Sequence, residues 1–226
     1  SGISWLYCRL SGRLMRYSLR DHAFMFLQGA SLFALNYWLF YLSELTLTSG
    51  LAAVIFSTIV VMNMLNGVLF LKNRLELRVV AGAGLGLLGI MLVFWPEVTD
   101  FESGSENLFA AALAVLATML ASVGNIASAR NQRAGIPVVQ ANTFGMTYGA
   151  LLMLGLAWAT GREFTFEMTM PYVSSLVFLA VFASIIAFWT YLTLLGRVGV
   201  ERAAYSTLLF PLVALGFSTV FEDYQW

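Results

Sequence analysis

Apolar residues fall into seven long blocks along this chain, at roughly 23–42, 51–71, 79–95, 108–129, 136–159, 172–195 and 203–221. A helix rises ~1.5 Å per residue, so about 20 apolar residues cross a hydrocarbon core ~30 Å thick. Each block therefore predicts one membrane-spanning helix, the third being the shortest. No segment alternates polarity at the strand period, as a membrane β-barrel would. Hydrophobic residues make up 60% of the chain, against about 45–50% in soluble domains, and the mean hydropathy is +0.81. The predicted fold class is all-α, a polytopic transmembrane helical bundle.

The connectors between the blocks sort by charge. One alternate set holds Arg9, Arg13, Arg16, Arg20, Lys72, Arg74, Arg78, Arg130, Arg133, Arg197 and Arg202, which is eleven of the twelve basic residues. The other holds only Arg162 but collects Glu44, Glu97, Asp100, Glu102, Glu106, Glu163, Glu167, Glu222 and Asp223. Short cytoplasmic loops retain Lys and Arg. Segments 9–21, 72–78, 130–135 and 196–202 are thus predicted to be cytoplasmic, with the chain in a cell membrane of the bacterial inner-membrane kind. A net charge of zero conceals this asymmetry. The inside loops are too short to hold a soluble domain, so function must reside in the helices.

The polar stretch 96–107, PEVTDFESGSEN, divides the chain into two predicted halves, 1–100 and 101–226. At an offset of 150, Tyr41, Leu42, Leu45, Ala53 and Leu65 recur as Tyr191, Leu192, Leu195, Ala203 and Leu215. The connector after the second block, KNRLELR, is basic, whereas its counterpart FEDYQW is acidic. The two copies would then enter the membrane from opposite sides, the pattern of an inverted-topology repeat. Pro211, inside the seventh block, removes an internal hydrogen bond and is expected to kink or break that helix.

Two segments carry a family likeness: ALNYWLFYLSELTLTSGLAAVIFSTIVVMNMLNGVLFL at 34–71 and GRVGVERAAYSTLLFPLVALGFSTVFEDYQW at 196–226. They resemble the EamA-like ten-helix branch of the drug/metabolite transporter superfamily. The resemblance implies that the seven blocks are helices three to nine. The chain is then a fragment lacking helix one, most of helix two, and helix ten. It also implies a transporter of amino acids, metabolites or drugs, and a third block outside the substrate cavity. Two positions depart from the family pattern: Lys72-Asn73 stands where Gly-Glu is usual, and Val61 where the first half often has proline.

No Asp, Glu, Lys or Arg occupies the middle of any block, where a charge would mark an ion or proton site. A titrating group, if the chain itself holds one, would have to be His22 or Glu44 near the surface. The buried polar side chains are amides: Gln28, Asn36, Asn63, Asn66, Asn125, Gln140 and Asn142. Asn63 and Asn66 are three apart and share a helix face. Each amide must find a neighbouring helix, water or a ligand, because hydrocarbon offers nothing. Among the aromatics, Tyr41 and Tyr191 sit near block ends and read as interface anchors. A pocket with aromatic walls and a few amides suits a small amphipathic molecule. Asn36, Tyr37, Asn63 and Trp189 are the predicted substrate contacts, in a cavity walled by the first, second, fourth, sixth and seventh spans. Gly84-Leu85-Gly86-Leu87-Leu88-Gly89 matches GxGxxG, but no strand precedes it, so its glycines read as packing residues. Residues 79–94 carry no polar side chain, leaving lipid, a neighbouring helix or a second subunit of a homodimer as neighbours.

These features favour a secondary transporter working by alternating access on a small-molecule substrate, within a lipid bilayer and without a bound cofactor or nucleic acid. A channel or lipid scramblase is the alternative. A retinal protein is excluded because the only lysine, Lys72, lies in a connector. Intramembrane enzymes need a nucleophile with its base, or paired carboxylates, at depth, and no such set is present. In a Cys8-free background, single cysteines at Ser103 and Asn131 should label from opposite sides with an impermeant thiol reagent. Labelling of both from outside would overturn the topology.

Overall fold

The computed structural model describes residues 1–101, 104–161 and 164–221, and among them every regular element is helical. The predicted positions Arg162, Glu102, Ser103, Glu163, Glu222 and Asp223 lie outside the described residues. Seven helical spans follow a short helix, Gly2–Leu10. The first runs Leu19–Glu44, the second Ser49–Leu71, the fourth Ser105–Arg133 and the sixth Met170–Val198, and these four are long and apolar enough to cross a membrane. The third, Leu77–Val93, is a shorter apolar helix. The fifth, Val138–Ala159, is long enough but carries Gln140, Asn142, Thr143 and Thr147 in its first half. The seventh comprises Val200–Ala203 and, past a turn at Ala204, Tyr205–Phe221. The bundle is an all-α membrane fold.

The fourth span extends beyond its predicted limits, because Arg130 and Arg133 occupy its last turn, where cations complement the helix dipole. Asn131 is consequently fully buried, so the exposed Ala134 is the better inside labelling site. This span lies at the centre of the bundle and packs against the first, second, fifth and sixth. Its buried face includes Ala110, Ala114, Ala117, Ala121 and Gly124, small residues that let neighbouring backbones come close. The first and fifth spans approach still more tightly: a Cβ on Gly29 would lie 2.1 Å from the Gly145 carbonyl oxygen. Glycine is required there by space alone. In the third span, a Cβ on Gly86 would meet Leu208 Cδ1 at 2.4 Å, whereas Gly84 and Gly89 face open space. Only one glycine of the GxGxxG match is thus a packing position.

Polar contacts at one end fix the relative directions of the spans. Asn73, just past the second span, donates to Glu201 at the start of the seventh and accepts from Arg133 of the fourth. Arg202 meets Glu76 at 2.6 Å, and Arg130 meets Asp21 at 2.9 Å. The basic connectors 9–21, 72–78, 130–135 and 196–202 therefore gather at one end of the bundle. The second span ends where the seventh begins, so the two run in opposite directions.

Four interruptions shape the spans. The first contains a π-helical segment at Ser31–Leu35 and the sixth another at Leu179–Ile186. The offset of 150 carries the first onto 181–185, inside the second. The second span breaks at Thr58, whose hydroxyl donates to the Ile55 carbonyl. Pro211, expected to kink or break the seventh span, lies in an uninterrupted helix, and the break falls at Ala204. One missing N–H is tolerated there because the flanking ladder is retained.

The second span closes on Lys72 in the left-handed conformation, φ 56° and ψ 33°, with the Asn73 N–H bonded to the Gly67 carbonyl. Glycine adopts this cap without penalty, whereas a side chain costs about 1–2 kcal/mol. Lys72→Gly should therefore stabilise the purified protein by about 1 kcal/mol, read as a raised melting temperature. An unchanged or lowered melting temperature would show that the lysine makes a compensating contact.

Candidate substrate cavity

A cavity of about 570 Å³ opens among the spans. The first span contributes Leu32, Asn36, Tyr37, Phe40, Tyr41 and Glu44; the second, Ser49, Ala52, Ala53, Phe56 and Ile59. Ala121 and Asn125 come from the fourth, Ala183, Ala187, Phe188 and Tyr191 from the sixth, and Thr207 and Phe210 from the seventh. These are the five spans expected from the sequence, and the third and fifth contribute nothing.

Both π segments border this space. Leu32 and Ala183 line it from within them, and Asn36 and Ala187 are the first residues after them. A π turn inserts an extra residue, widens the helix and is frequent at functional sites. In the sixth span, Ala183, Ala187 and Tyr191 recur every fourth residue and form one face, with two small side chains making room.

Asn125 forms the polar floor. Its Nδ2 donates to the Tyr191 hydroxyl at 3.1 Å and to Asn63 Oδ1 at 3.4 Å. One residue of the fourth span thus ties the second to the sixth. Among the described residues, three amide atoms here are buried without a hydrogen-bond partner: Asn36 Oδ1, Asn63 Nδ2 and Asn125 Oδ1. Beneath the floor, toward the basic end, Leu32, Ile126, Leu192, Leu195 and Val200 pack into one apolar cluster. Gln132 Nε2 donates to the Leu192 carbonyl at 2.9 Å. The opposite end of the cavity carries Glu44 and Ser49, at the acidic end of the bundle.

The predicted contacts separate into two pairs. Asn36 and Tyr37 line the cavity. Asn63 is fully buried and is not part of the wall; its Oδ1 accepts from the lining Asn125. Trp189, 49% exposed, is not part of the wall. A helix turns about 100° per residue, so the lining positions Phe188 and Tyr191 leave Trp189 on another face. Asn66 faces the fourth span and donates to Ser122 at 2.8 Å. Tyr41 and Tyr191, read as membrane anchors, both face the cavity. The signal that could have found Tyr191 was the Ala183-Ala187-Tyr191 spacing; no local signal distinguished Asn125 from the other amides.

His22 is remote from this site, with Nδ1 2.8 Å from the Tyr148 hydroxyl and the ring edge-on to Phe144. Gln28 donates to Asn142 at 2.8 Å and accepts from Asn131 at 3.0 Å, a buried amide chain nearer the basic end.

Asn125→Ala would strip the donor from both Asn63 and Tyr191 and should cost about 1–3 kcal/mol. Thermal melting of the purified protein reads this loss, and Tyr191→Phe should cost less. A wild-type melting temperature for Asn125→Ala would mean that the cluster does not hold the spans together.

The model of the EamA-like transporter family matches the chain over residues 4–95 and 108–225. Protein PagO of Salmonella typhimurium is 22% identical over 215 residues, covering 91% of this chain and 68% of that protein. No solved structure matches the chain. The chain belongs to the EamA-like transporter family.

Proposed function

We propose that this protein is a secondary transporter, working as an exporter, that carries small metabolites, amino acids or drugs by alternating access through the central cavity. One observation carries the reading: the cavity is walled by five spans, ends on a polar floor at Asn125, and is packed shut toward the basic end. With the basic connectors cytoplasmic, this arrangement is an outward-facing state. Inverted-repeat transporters hold substrate between their halves near the midplane. The opposite directions of the second and seventh spans support that reading, as do the π segments spaced at the offset of the sequence repeat. The halves would be 1–100 and 101–226, rocking about the site. Asn36 and Tyr37 are the proposed contacts, with Asn125 and Tyr191 added to them and Asn63 acting as support for Asn125.

Flux in vesicles carrying the full-length protein tests this, with a panel of radiolabelled amino acids, amines and drugs. At least one compound should show saturable flux and counterflow. Asn36→Leu should lower that flux about tenfold, the order expected for one lost polar contact in a desolvated site, with expression and monodispersity unchanged. Flux that rises linearly with concentration and shows no counterflow would replace the transporter with a channel or scramblase.

A further inference from the structure

We infer that the cavity admits neutral and cationic amphiphiles and rejects anions, so that its cargo presents an amine, amide or hydroxyl and no uncompensated carboxylate or phosphate. This deepens the transport reading of the same cavity and rests on it. Among the described lining residues Glu44 is the one charged side chain, and no Lys, Arg or His reaches the wall. A second carboxylate stands beside the mouth: a Cβ on Gly50 would lie 2.9 Å from Glu97 Oε1, and Gly50 adjoins the lining Ser49. Among the described residues, Arg130 is bound to Asp21, Arg133 to Asn73 and Arg202 to Glu76, all at the far end.

The interior gives an independent indication. Asn36 and Asn125 line the cavity yet are only 6% and 1% exposed, and Oδ1 of each is buried without a donor among the described residues. An amide acceptor lacking a donor is satisfied by an N–H or O–H group, and a carboxylate offers neither. Aromatic rings supply the remaining selectivity. Phe40 and Phe56 meet edge-on at 5.6 Å on this wall, and ring faces attract cations and repel anions. An anion entering here would leave its hydration shell for acids, ring faces, acceptors and a few neutral hydroxyls, with no compensating charge.

Thiol reagents that differ only in charge test this without knowledge of the natural cargo. The full-length protein is made with Cys8→Ser and a single Ala53→Cys or Ala187→Cys. Each is modified by methanethiosulfonates bearing ethyltrimethylammonium or ethylsulfonate groups, with rates normalised to a small free thiol. The cation should react faster by about tenfold at low salt, and the preference should shrink in Glu44→Gln. As a second reading, 2-phenylethylamine and 2-phenylethanol should slow modification, whereas 3-phenylpropionate should not. Equal rates, faster modification by the sulfonate at both positions, or protection by the acid equal to that by the amine would overturn the inference. The reagent ratio reports the cavity alone. A retained ratio with no saturable flux would sink the transport reading and leave the selectivity standing, whereas saturable flux with sulfonate preference would do the reverse.

Discussion

An amide in hydrocarbon has no water to fall back on, and the need to pair each one organises this bundle. Nearly all of those pairings run through the fourth span. Ser122 accepts from Asn66 of the second span, Asn125 donates to Asn63 and Tyr191, and Asn131 donates to Gln28 of the first. Beyond them Gln132 and Arg133 reach the carbonyls of Leu192 and Leu71. These bonds need close backbones, and the buried alanines of the same helix provide that closeness. Lipid removes the hydrophobic drive between helices, so the polar ladder and the close packing of small residues act jointly. The cavity lies where the ladder is incomplete, beside amides that retain an unpaired atom.

The walls are built from departures from ideal helix. Two π segments border the space, and the second span breaks at Thr58 one residue before the lining Ile59. Irregular backbone at membrane depth is stable only where protein or a cavity covers it. The π segment of the first span and the break at Thr58 meet that condition. The sixth-span segment, none of whose residues is buried, meets it only on the face that Ala183 presents to the cavity.

Contacts toward the basic end of the bundle differ in how firmly they hold it. At the basic end, Arg202–Glu76 is an exposed pair, of the kind worth only about 0–1 kcal/mol. The chain Asn142–Gln28–Asn131 is buried and fixes the first span to the fourth and fifth.

Much of the fold was legible in the sequence. Block length set the number of spans, charge sorted the connectors that the structure gathers at one end, and the five cavity-forming spans followed from the repeat. Of the expected contacts, Asn36 and Tyr37 line the cavity and Trp189 does not; Asn125 and Tyr191 line it without having been among them, and the seventh span breaks at Ala204, not at Pro211. The division has a physical cause. Span length, depth and charge are properties of each segment against the bilayer, so the chain determines them locally. Which face of a helix meets a cavity depends on its rotation about its own axis, and neighbouring helices set that rotation. Tyr191 and Trp189 have similar depth and chemistry; only the tertiary packing, through the bond from Asn125 to Tyr191, turned one inward and left the other outside.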